Sequence, residues 1–161
     1  MTNNSDYLVY TVGKKGGRLM RVYSIFHIKR EHQSFIFGRE RMLLEMISTL
    51  EQTAESSVSK ELSYLCEPIE GKMLKDRIYK QLQKRFPTID WIDDRLKFEH
   101  HLKGRIEMRV FPYHLEAICE GSRMIDLDLF QCLSQMNDSF IAFNKEEMEC
   151  GWLKPMKYYS C

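Results

Sequence analysis

Adjacent imidazoles at His100-His101 are the first chemistry this chain offers, because neutral histidine is a common metal ligand. Neighbours on a strand point to opposite faces, so the two cannot easily share one ion. Satisfied structural histidines are the simpler reading. Cys66, Cys119, Cys132, Cys150 and Cys161 are odd in number, and no two have CxxC spacing. A reduced chain without structural zinc is therefore expected. Cys119 and Cys132 fall on apolar stripes and read as small core residues rather than reactive thiols. Asp93-Asp94 forms a carboxylate pair, but beside Trp91 it reads as a turn. Asp126 and Asp128 suit the first turns of a helix, where the macrodipole favours negative charge. GxGxxG, Walker, GxSxG and HExxH patterns are missing, so neither a cofactor nor catalysis is expected.

Exposed apolar groups are the stronger functional signal. Phe35, Ile36 and Phe37 precede a helix, and such a junction easily buries at most two of them. Tyr64 should sit on the wet side of its helix. Aromatic or aliphatic anchors of this kind mark protein-partner sites.

The elements that must position these groups centre on Arg95 to Gly121. Leu96, Phe98, His100 and Leu102 alternate with polar residues, as do Ile106, Met108 and Val110, then Leu115, Ala117 and Cys119. That period of two predicts three strands in an antiparallel meander with one buried face. Met20–Ile28 is apolar on both faces and predicts a central strand. Lys29 to Ser34 reads as loop. Helices are expected over Arg39–Glu51, with a stripe of Met42, Leu43, Met46, Ile47 and Leu50, and over Ser57–Cys66, Glu70–Arg85 and Arg123–Met136. Thr88–Asp94 should cover the sheet edge, Ser139–Asn144 should make the final strand, and Gly151-Trp152 belongs to the tail. The expected fold is α/β of the α+β kind. It is a mainly antiparallel sheet of about five strands with four helices, in a two-layer sandwich.

The 161 residues suit one globular domain over 20–161, with residues 1–19 as a disordered extension. Lys14-Lys15-Gly16-Gly17 must be encoded by a purine-rich run two codons before Met20. It resembles a translated ribosome-binding site, which makes Met20 the expected start. A net charge of +1, from 24 basic and 23 acidic residues, argues against a strongly electrostatic nucleic-acid binder, although a local patch is compatible with it. There is no signal-like or membrane-spanning apolar run, so a cytoplasmic protein is expected.

Three stretches together resemble the SirA family, the sporulation inhibitors of replication of Bacillus-type bacteria. They are Phe37-Gly38-Arg39-Glu40, Tyr64-Leu65-Cys66-Glu67-Pro68-Ile69 and Gly151-Trp152-Leu153-Lys154-Pro155-Met156-Lys157. The resemblance runs from Met20 to Lys157 and leaves residues 1–19 without a counterpart. It implies a non-catalytic inhibitor that binds the N-terminal domain of the replication initiator DnaA, with no membrane and no direct nucleic-acid contact. It places the binding surface on His32, Ile36, Glu61 and Tyr64, where His32 and Ile36 replace aromatic residues of the family. Arg39, Glu40, Gly151 and Trp152 match the family as structural positions.

Two other classes compete. An acyl-transfer enzyme would need a cleft beside the meander and a phosphate site at a helix N-terminus. A direct DNA binder could use Lys72, Lys75, Arg77, Lys80, Lys84 and Arg85, although a solvated helix face explains that run equally well.

Overall fold

Strand β1, Met20–His27, sets the architecture. Tyr23 and Ile25 point to one side, Ser24 and Phe26 to the other, and all four are buried. A strand buried on both faces needs cover on both faces. In a computed structural model of the chain, which describes residues 20–50, 55–93, 95–136, 139–153 and 156–160, β1 lies inside one antiparallel sheet of eight strands. The others are β2 (Thr88–Ile92), β3 (Arg95–His100), β4 (Gly104–Val110), β5 (Leu115–Gly121), β6 (Phe140–Asn144), β7 (Glu149–Leu153) and β8 (Met156–Ser160), in the order β2-β3-β4-β5-β1-β6-β7-β8. The expected extension, residues 1–19, lies outside the described residues.

Among the described residues five α-helices accompany the sheet: α1 (Gln33–Ile36), α2 (Glu40–Leu50), α3 (Glu55–Leu65), α4 (Gly71–Leu82) and α5 (Arg123–Met136). Leu74, Ile78 and Leu82 of α4 and Ile125, Leu129 and Leu133 of α5 join Tyr23, Ile25, Phe98 and Ile106 in the first core. On the opposite face, Ile36, Leu43, Leu44, Ile47, Leu62 and Leu65 join Phe26, Ile141, Phe143 and Trp152 in the second. Helices thus cover both faces around β1, β6 and β7. Each fully buried Leu, Ile or Phe contributes roughly 1.5–3 kcal/mol.

These findings correct the expected two-layer sandwich of five strands and four helices. The meander and the central place of β1 are as expected. Thr88–Ile92 is itself a strand, because Ile89 and Trp91 stand opposite Phe98 and Leu96. The stretch read as tail is β7, buried at all five positions, followed by β8. The loop after β1 contains a short 3-10 turn, Arg30–His32, and the single-turn α1. Met42 is exposed instead of lying on the α2 stripe.

A buried polar cluster fastens α5 to β1. Arg21 donates from Nε and Nη2 to the Asp126 carboxylate at 2.9 and 2.6 Å, and the Tyr23 hydroxyl donates to it at 2.5 Å. Arg21 also donates to the carbonyls of Gly121 and Ser122, where β5 passes into α5. Burial alone would lower the Arg21 pKa, but Asp126 outweighs it through its hydrogen bond and charge, and the net shift is upward. Gly104 and Gly121 face each other across β4 and β5, with φ of +125° and +110°.

Candidate functional site

The end of α3 is tied by backbone bonds to the segment that leaves β1. Ile28 and Cys66 form an antiparallel bridge. The Lys29 amide donates to Leu65 O at 2.9 Å, and the Glu67 amide to His27 O at 2.8 Å. The burial of Leu62, Leu65 and Cys66 turns the other side of α3 to solvent, with Glu61 and Tyr64 three residues apart on it. His32, at the end of the 3-10 turn, meets this face. Its ring lies 4.7 Å from the Tyr64 ring, and its Nε2 lies 3.9 Å from the Glu31 carboxylate. Tyr64 remains 64% exposed.

Ile36 is different. It is 1% exposed and belongs to the second core, so its expected place as an exposed anchor is corrected. One turn of helix directs Ile36 under the surface and leaves Phe35 and Phe37 outside, 49% and 69% exposed. Periodicity alone limited how many of the three could be buried without selecting which one. His32, Glu61 and Tyr64 therefore share a surface, Ile36 lies in the core beneath, and Phe35 and Phe37, which the sequence grouped with Ile36 as candidate exposed anchors but the family resemblance passed over, are the exposed members of that trio.

The turn after α1 is held from both sides. Gly38 has a φ of +89°, in the left-handed region that favours glycine. Its amide and the Trp152 indole Nε1 both donate to Glu40 Oε2 at 2.9 Å. Phe37 stacks near Trp152, with centroids 6.4 Å apart. Arg39 Nη1 donates to Phe35 O at 2.8 Å, and its guanidinium sits 4.6 Å from the Phe35 ring centre. The structural reading of Arg39, Glu40 and Trp152 agrees with these contacts.

The other chemical candidates have structural explanations. His101 begins a turn, so its ring stacks on His100 at 5.2 Å; opposite-face strand geometry does not apply. His100 Nδ1 accepts from the Leu102 and Lys103 amides at 3.1 Å each, which assigns the proton of the neutral ring to Nε2. Among the described residues no three His, Cys, Asp or Glu side chains gather to hold a metal ion. Cys66, Cys119 and Cys132 are free and buried, and burial pushes the Cys66 and Cys132 thiols up to about 12. Cys150 is disulfide-bonded, which corrects the fully reduced reading at that position. Asp93 occupies a turn at φ +53°. Asp126 and Asp128 anchor buried and half-buried ion pairs, a stronger part than the helix-start role expected of them. A cleft of about 470 Å³ does lie at the end of the meander, beside His100, His101 and Arg105, but strands and turns alone line it. Glu149 is buried on β7. Burial, then the nearby Glu147 charge, pushes its carboxyl up to about 7. No described helix is long and apolar enough to cross a membrane.

Residues 21–157 match the family described as sporulation inhibitor of replication protein SirA. A curated relative, the sporulation inhibitor of replication protein SirA of Bacillus subtilis (strain 168), is 24% identical over 143 residues. The match covers 85% of this chain and 95% of the relative.

Proposed function

This chain belongs to the SirA family of sporulation inhibitors of replication, and from that premise we propose that it restrains replication initiation in sporulating cells by binding the N-terminal domain of the initiator DnaA. The reading requires no catalysis and no cofactor, and it places the protein in the cytoplasm. Inhibition follows from occupying a surface that the initiator needs for other protein contacts. The observation that carries the proposal is the exposed Tyr64 ring held against His32 at 4.7 Å. A large amphipathic ring fixed in one place loses little conformational freedom on docking, which is what a hot spot needs. Glu61 forms the polar rim one turn away. Ile36 acts from below by supporting the turn that presents Phe35 and His32.

Calorimetric titration of the full chain with the isolated N-terminal domain of its own DnaA tests the proposal. One-to-one binding is expected, and Tyr64→Ala should weaken it by about 2 kcal/mol, roughly thirtyfold. Because Tyr64 is mostly solvent-exposed, the variant should keep the wild-type unfolding midpoint. Ile36→Ala should behave oppositely, losing roughly 2–5 kcal/mol of fold stability as a buried large-to-small change. Folded wild type that does not bind would refute the partner. Binding that survives Tyr64→Ala would refute the surface.

A further inference from the structure

The outer face of α4 and the turn after it carry cations, most of which no other described residue neutralises. Over Gly71–Arg85 the cations are Lys72, Lys75, Arg77, Lys80, Lys84 and Arg85, and the lone carboxylate is Asp76. Arg85 reaches Asp128 at 2.7 Å. Among the described residues the other five make no ion pair, and all except half-buried Lys75 are exposed. Lys75 instead lies 5.4 Å from the Trp91 ring centre, which extends the basic face to β2.

The uncovered half of the sheet behaves differently. Arg95 pairs with Glu107 at 2.9 Å and Arg105 with Glu120 at 2.7 Å. Lys97 stands in register between Asp90 and Glu107. That face cancels its own charge, so an overall balance of +1 conceals a one-sided surplus on α4.

We propose that this α4 face binds the phosphate backbone of duplex DNA without reading its sequence. Charge complementarity selects a polyanion, since lysines supply point charges with free donors for phosphate oxygens. From Lys72 to Lys80 the helix rises about 12 Å, the length of roughly three to four base pairs at 3.4 Å each. A single-stranded partner would need a run of open aromatic faces; here Lys75 already lies over Trp91, and Tyr79, 39% exposed, is a single ring rather than a run. The α4 face lies across the sheet from His32 and Tyr64, because α4 packs on the first core and α3 on the second. Both surfaces can therefore be occupied at once.

Fluorescence anisotropy of a short labelled duplex of mixed sequence, titrated with the full chain in the absence of any initiator protein, tests this. Contact with about five phosphates gives a log–log salt slope near −4.5, an affinity loss of about 500-fold between roughly 50 and 200 mM salt. Lys80→Ala/Lys84→Ala should reduce the slope to about −2.7. Lys97→Ala, on the self-neutralised face, should leave it unchanged. The proposal is overturned if the folded wild type does not bind at the lowest salt, if the double variant keeps the full slope, if single strands bind more tightly, or if an acidic peptide binds more tightly than the duplex. Because the assay contains no DnaA, its failure leaves the Tyr64 surface standing, and the converse also holds.

Discussion

Two carboxylates on α5, Asp126 and Asp128, should differ sharply in what their loss costs. Asp126 is fully buried and faces a guanidinium whose side chain is likewise buried. It accepts two bonds from Arg21 and one from Tyr23. Asp126→Ala leaves Arg21 charged and without that partner in a low-dielectric place, because the guanidinium is too basic to shed its proton even when buried. The expected loss is about 3–5 kcal/mol, a large share of the roughly 5–15 kcal/mol that holds a domain together. Asp128 pairs with an Arg85 side chain that is 49% exposed, and water can replace that partner. Asp128→Ala should cost only about 1 kcal/mol. In a chain of this length these losses lower Tm by roughly 6–20 °C and 2–4 °C respectively. The decisive variant is Arg21→Met/Asp126→Leu, which removes both charges and should recover most of the stability lost by Asp126→Ala. Urea and thermal unfolding at neutral pH measure all three. Equal losses for the two alanine variants, or a double variant as unstable as Asp126→Ala, would refute the reasoning.

Two further outcomes follow from the sheet. A Cβ added at Gly104 would lie 2.0 Å from Glu120 O and 2.9 Å from Gly121 Cα, so Gly104→Ala should destabilise by several kcal/mol or prevent folding, seen as lost soluble yield and strand circular dichroism. Glu149 has its folded pKa raised to about 7 from 4.5, so the stability it contributes is full below about pH 4.5 and is lost as pH rises through 7. Glu149→Gln should remove that decline, gaining between about 1 and 3 kcal/mol at pH 8 after allowance for solvent screening, and urea midpoints at pH 5 and pH 8 that keep the wild-type difference would contradict this.

The meander was legible because alternation at Leu96, Phe98, Ile106, Met108, Leu115, Ala117 and Cys119 has one meaning when a single face is buried. The last helix was legible to its ends, Arg123 and Met136. Strand β7 was not, because Cys150, Gly151 and Trp152 are buried on both faces and show no alternation. The apolar character of both sides of β1 already contained the second helical layer, yet nothing local says which helices supply it. At the site, Tyr64 was readable from the stripe formed by Leu62 and Leu65. Ile36 was not, because the direction of a single helical turn depends on where its ends are tied, here at His32 and at the Gly38–Glu40 turn. Asp126 could be placed on a helix from sequence, but its partner Arg21 lies 105 residues away.

Glu40 links the two ends of the described fold. One oxygen of its carboxylate holds the Gly38 amide and the Trp152 indole, partners that lie far apart in the chain but within one hydrogen-bond length of the same atom. Opening of the late strand β7 therefore releases the turn that displays Phe35 and Phe37, and loosening of that turn frees the strand. Fraying on that side of the sheet is therefore expected to loosen the candidate docking surface with it, in one local opening.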